Sequence, residues 1–176
     1  MNDAVKLPLA ASGIRLLWIS VLVIAVDQLT KLWIERTMAL GDAFAVLPVL
    51  DIVRAHNSGA AFSFLASAGG WQRWAFSVLA VTVSVALIVW LRSIARATHG
   101  LLACGLSLIL GGAIGNVIDR IEHGYVVDFV YAHWGLHYFP AFNVADSAIS
   151  IGAVLVILDA LREWRREQAL KASQGK

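Results

Sequence analysis

Leu101-Leu102-Ala103-Cys104-Gly105-Leu106-Ser107-Leu108-Ile109-Leu110-Gly111-Gly112-Ala113-Ile114-Gly115-Asn116-Val117-Ile118 runs for 18 residues without a charge. As a helix rising about 1.5 Å per residue, it nearly spans the ~30 Å hydrocarbon core of a bilayer. Three further runs, Ile14–Ile34, Trp71–Leu91 and Asn143–Leu161, are of similar length and character. Composition agrees: the chain has 176 residues, of which 59% are apolar and 15% charged. A water-soluble fold of this size has no interior large enough for so much apolar surface, so the excess must face lipid. The expectation is one integral membrane domain over 1–176, an all-α bundle of four transmembrane helices. The first run contains Asp27 and Lys31 and is followed by no small-residue cleavage site, so it is expected to stay in place as a span rather than leave as a signal peptide. Cys104 is a single cysteine in an apolar stretch, which gives neither a disulfide framework nor a thiolate cluster.

Charge sets the orientation. Four spans put both termini and the Arg92–Gly100 loop on one side, with Lys6, Arg15, Arg92, Arg96, Arg162, Arg165, Arg166, Lys171 and Lys176, against Lys31, Arg36, Arg54, Arg73 and Arg120 on the other. The positive-inside rule then predicts cytoplasmic termini. Tryptophans near both interfaces, Trp18, Trp90 and Trp164 inside and Trp33, Trp71 and Trp74 outside, agree. Of the two outer segments, 37–70 alternates like a short antiparallel sheet and leaves room for a short interfacial helix, half in the headgroups. The other, 119–142, is rich in His and Tyr. The basic tail from Arg162 onward predicts a solvated helix end.

Ionisable residues are costly in a bilayer and are kept where they pair or work. Here they converge at one depth near the outer surface. Asp27 and Lys31 share a helix face at i, i+4. Asn116, Asp119 and Arg120 end the third span, Asn143 and Asp146 begin the fourth, and Asp128 lies between. Each has a bland reading; Asn143, for example, suits a helix N-cap with Asp146 at N3. Their convergence favours a site. No nucleophile motif such as Gly-x-Ser-x-Gly surrounds a serine. His133 and His137 lack a His-Glu-x-x-His setting, so no metal and no cofactor is expected. What remains is acid–base work by paired carboxylates that share one proton. A proton-coupled carrier or a non-catalytic membrane subunit stays open on these residues alone, although no inverted repeat supports the carrier.

Five stretches then carry a resemblance: Val26-Asp27-Gln28-Leu29-Thr30-Lys31; Asn57-Ser58-Gly59-Ala60-Ala61-Phe62; Gly111-Gly112-Ala113-Ile114-Gly115-Asn116-Val117-Ile118-Asp119-Arg120; Val127-Asp128-Phe129; and Phe142-Asn143-Val144-Ala145-Asp146-Ser147. In this order the chain resembles bacterial lipoprotein signal peptidase (signal peptidase II). The resemblance implies an aspartic endopeptidase of the bacterial inner membrane that removes the signal peptide from prolipoproteins just before a diacylglyceryl-modified cysteine. It implies Asp128 and Asp146 as the catalytic pair. Asn57, Asn116, Arg120 and Asn143 would line the site, with Asp27, Lys31 and Asp119 supporting it. Gly59 would open a movable flap over 57–65. The partners expected are the prolipoprotein and membrane lipids, with no nucleic acid, and the chain is expected to act as a monomer with its site near the periplasmic face.

Overall fold

The computed structural model describes residues 7–59, 70–95, 97–135 and 137–174. Two 3-10 turns, Leu9–Ala11 and Gly13–Leu16, lead into α1 (Leu17–Thr37), followed by β1 (Ala43–Leu47), β2 (Leu50–Asn57), α2 (Trp71–Ser93), α3 (Gly100–Glu122), β3 (Val126–Trp134), β4 (His137–Tyr138) and α4 (Val144–Gln174). Four helical stretches are long and apolar enough to cross a membrane: Gly13–Thr37, Trp71–Ser93, Gly100–Glu122 and Val144–Gln174. Each expected span is present, and each extends beyond its apolar run. Hydropathy ends where the hydrocarbon ends, but a helix continues as long as its backbone stays paired. In α4 the basic tail prolongs the helix in this way as far as Gln174.

α3 is the central helix. It packs against α1, α2 and α4, and 56% of its apolar window is buried, against 22–28% for the other three. Leu106, Leu110 and Ala103 meet Leu87 and Leu91 of α2 and Ile94. Exposed apolar side chains such as Leu29, Val78, Val85, Val154 and Ile157 point away from the bundle, as lipid-facing residues do.

Lipid tails are as apolar as leucine, so burial alone gives helices little reason to associate; close backbone approach and hydrogen bonds do. The glycines of α3 provide that approach on two faces. A Cβ on Gly105 would sit 2.7 Å from the carbonyl oxygen of Gly152, and one on Gly112 would strike the Ala145 carbonyl, both in α4. On the α1 side, a Cβ on Gly111 would lie 2.9 Å from Ser20 O, and one on Gly115 2.6 Å from Asp27 Oδ2. The Ser20 hydroxyl donates to Ser107 O at 2.7 Å across the same contact.

An antiparallel sheet in the order β1-β2-β3-β4 sits at one end of the bundle. The sequence places a sheet only in 37–70. The structure adds β3 and β4, because the chain after α3 returns alongside β2, pairing Ala55 with Asp128 and Asn57 with Val126. The alternate residues Val127 and Phe129 pack on Ile34 and Met38 at the end of α1. Phe142 exchanges backbone hydrogen bonds with Val130, 2.8 and 3.0 Å, so the start of α4 is tied to the strand that carries Asp128. Residues 60–69 of the segment expected to include an interfacial helix, and with them 60–65 of the expected flap, lie outside the described residues.

Gly112→Val places branched carbons against the Ala145 carbonyl. Overpacking of this kind costs typically ~1–3 kcal/mol. Thermal unfolding in detergent should show a clearly lowered midpoint, whereas Gly100→Ala, where a Cβ meets nothing within 4 Å, should leave it in place.

Candidate active site

Lys31 organises the polar cluster from below. Its ammonium, 3% exposed, lies 2.8 Å from Asp27 Oδ2, 2.9 Å from Asp119 Oδ2 and 3.0 Å from Asn116 Oδ1. A lysine has three donors, and all three are used. The i+4 spacing brings Asp27 to Lys31, and the glycine at 115 leaves room for the Asp27 carboxylate between α1 and α3. The other Asp27 oxygen accepts the backbone N–H of Ala145 at 2.9 Å, so a carboxylate from α1 satisfies a free donor in the first turn of α4.

α4 begins with the reciprocal cap that its sequence suggests. Asn143 Oδ1 accepts the Asp146 N–H at 2.9 Å, and Asp146 Oδ2 accepts the Asn143 N–H at 3.3 Å. The Asn143 amide also donates to Asp128 Oδ1 at 2.8 Å and to Asn116 Oδ1 at 3.1 Å. Asn116 in turn donates to Asp146 Oδ1 at 2.8 Å, and Asn57 donates to Asp128 Oδ2 at 3.0 Å. Both carboxylates are therefore held by neutral amides. Asp128 is 2% exposed, whereas Asp146 is only partly buried. Burial first, and the nearby Asp146 carboxylate second, push Asp128 up to about 7, against the hydrogen bonds from Asn57 and Asn143 and the charge of Lys31.

Every site residue expected from the sequence lies in or beside this cluster, with one rearrangement. Asp119 and Arg120, grouped in the sequence with Asn116 at the end of the third span, point apart. Asp119 accepts from Lys31, from Gln28 at 2.9 Å and from the Val127 N–H at 3.1 Å. Arg120 donates to Asn116 O and Gly59 O, each at 3.3 Å, and its guanidinium lies 5.5 Å from the centre of the Phe76 ring. Successive residues on a helix do not share a face, which is why neighbours in sequence serve different sides of the cluster. Gln28 and Phe76 join the cluster without being expected there. Gln28 carries a usable signal, as an amide at membrane depth beside Asp27, whereas an aromatic under Arg120 leaves no trace in a single apolar run. His133 lies in the sheet, with Nε2 3.5 Å from Asp51 Oδ1.

Residues 19–162 match the family model described as signal peptidase (SPase) II. A lipoprotein signal peptidase of Pseudomonas putida is 50% identical over 153 residues, covering 86% of this chain and 89% of the relative. One from Shewanella halifaxensis is 49% identical over 149 residues, covering 85% and 87%. Among solved structures, a bacterial membrane enzyme determined by the in meso method at 2.3 Å resolution superposes with a TM-score of 0.73 at 34% identity, covering 85% of this chain and 88% of that one.

Lys31→Met should leave Asp27 and Asp119 buried without their cation. Breaking a buried pair costs ~3–5 kcal/mol, enough to lower the unfolding midpoint in detergent severely. Asp119→Asn keeps an acceptor for Lys31 and the Val127 N–H when its Oδ1 takes the place of Oδ2, gives up only the acceptor for Gln28, and should lose much less. Equal midpoints for the two variants would mean that the cluster is hydrated.

Proposed function

We propose, because the chain belongs to the signal peptidase II family, that Asp128 and Asp146 are the catalytic pair with which this membrane protease cuts prolipoproteins before a diacylglyceryl-modified cysteine. The observation that carries the assignment is Asn143. Its side chain donates to Asp128 while its backbone N–H donates to Asp146, so one residue holds both carboxylates.

The chemistry follows from the difference between the two environments. Asp128, buried and raised to about 7, is the member proposed to hold a proton near neutral pH. Asp146, in the first turn of α4, takes a proton from water as the water oxygen bonds to the scissile carbonyl carbon. Asp128 gives its proton to the carbonyl oxygen, forming a gem-diol. Asp146 then gives the proton it took to the leaving nitrogen as the C–N bond breaks, a gem-diol hydroxyl returns its proton to Asp128 as the carboxyl product forms, and no cofactor is required. Arg120, Asn57 and Asn116 are placed to hold substrate carbonyls and the developing oxyanion. Asp27, Lys31 and Asp119 position these groups without touching substrate.

The excess of Lys and Arg on the side of the termini supports an orientation with both termini cytoplasmic and the site at the periplasmic face of the inner membrane. A single chain supplies every member of the cluster, which supports a monomer acting alone in lipid.

Asp128→Asn and Asp146→Asn keep shape but remove the titratable group. Each should abolish cleavage of a lipidated prolipoprotein by the purified protein, while activity survives strong chelators. Substantial turnover in either variant would overturn the pair.

The pH dependence carries a sign. An acid raised in the folded state binds more protons folded than unfolded between about 4 and about 7, so its contribution to stability falls as pH rises through that window. Asp128→Asn should remove that slope. The alkaline limb of kcat/KM should lie near 7 and move upward in Asn57→Ala, which deletes a donor to the ionised form. A downward shift would mean that the proton resides elsewhere.

A further inference from the structure

Asp146 also lines an apolar groove, about 590 Å³, between the 139–142 linker and the first turns of α4. Phe139 and Phe142, packed edge to face, form one wall, and Ser150 and Ile151 lie along the other. Phe139 and Ile151 are 57% and 55% exposed, so the groove opens on the outside of the bundle, where lipid lies. Two other apolar hollows, one beside Trp33 and Phe44 and one beside Trp134 and Tyr138, include neither Asp128 nor Asp146.

We propose that this groove receives the acyl chains of the substrate's diacylglyceryl group. The inference rests on the functional reading above, since it takes the substrate from it. The modified cysteine follows the scissile bond directly, and consecutive Cα atoms are about 3.8 Å apart. Its glyceryl group must therefore start beside the carboxylates, while its chains must leave toward hydrocarbon. The groove runs between those two places. Its walls also select against the other apolar part of the substrate. An unwound peptide segment would bring N–H and C=O groups that need partners in a dry setting. Apart from Asp146, the groove's side chains offer only hydroxyls, and that of Ser147 is already donated to Asn143 O at 2.9 Å. A hydrocarbon chain asks for no hydrogen bonds.

The test compares two synthetic prolipoprotein peptides, one with long-chain diacylglyceryl cysteine and one with diacetylglyceryl cysteine. Ser150→Phe and Ala141→Phe each fill the groove from the side without touching either aspartate's hydrogen bonds. The ratio of kcat/KM for long over short chains should fall at least about tenfold in each, in line with the loss of several methylene contacts. In parallel, a peptide with a photoreactive diazirine at the acyl terminus, bound to the Asp128→Asn protein, should label the segment 139–151. An unchanged ratio in active variants, or labelling confined to α2 or the sheet, would overturn the groove and leave the protease reading intact. If wild-type protein cleaved neither peptide, the functional reading itself would fail, and this inference with it.

Discussion

Three acceptors around one ammonium hold the functional end of this molecule together. Lys31 reaches Asp27 on its own helix and Asp119 and Asn116 on α3. In water such contacts would be worth little, since exposed ion pairs contribute about 0–1 kcal/mol. In the interior of a bundle surrounded by lipid, each partner is indispensable to the others, because an uncompensated buried charge costs several kcal/mol. The cluster therefore behaves as a unit. Asp27 extends it to α4 through the Ala145 N–H, and Asp119 extends it to β3 through the Val127 N–H. Helix, helix and strand are locked at the point where the two other aspartates emerge.

The glycines of α3 make this unit sterically possible. Gly112 and Gly105 let α4 approach at backbone distance, and Gly115 leaves the space that the Asp27 carboxylate fills. Packing and electrostatics thus depend on the same few positions. A methyl group at 115 would push on an ion pair, and a longer side chain at 112 would move the first turn of α4, where Asn143 and Asp146 are set. The sheet contributes the other half of the geometry, since pairing of β2 with β3 brings Asn57 and Asp128 to the same edge of the cluster.

Much of this is legible in the sequence, for reasons specific to lipid. Backbone groups in a bilayer must be paired internally, so four long apolar runs have essentially one solution, four helices. Polar residues at membrane depth stand out because they are costly there, so Asp27, Lys31, Asn116, Asp119, Asn143 and Asp146 group together on depth and spacing alone. The reciprocal cap of Asn143 and Asp146 follows from their three-residue separation. What stays hidden is whatever depends on long-range pairing. Val126–Trp134 is strand only because β2 lies beside it, and its aromatic, histidine-bearing sequence suits a loop equally well in isolation. That Asp119 and Arg120 diverge follows from the helical period, but which partner each one meets depends on what lies on which side of α3, information that no local pattern contains.

Two aspartates at one depth would repel each other if their surroundings were alike, and their surroundings differ. Asp128 sits on a strand, almost wholly removed from solvent, and burial there opposes its negative charge. Asp146 sits in the first turn of a 31-residue helix, where free N–H groups and the helix dipole favour negative charge, and it remains partly open to the groove. A strand and a helix start thus give two chemically identical side chains unlike surroundings. The amides between them donate to both carboxylates without adding a charge of their own, and at Asp128 they work against burial rather than with it. Had lysines replaced Asn116 and Asn143, both carboxylates would be held ionised and neither could donate. A site built from neutral amides can hold the two acids close and still let one proton pass between them.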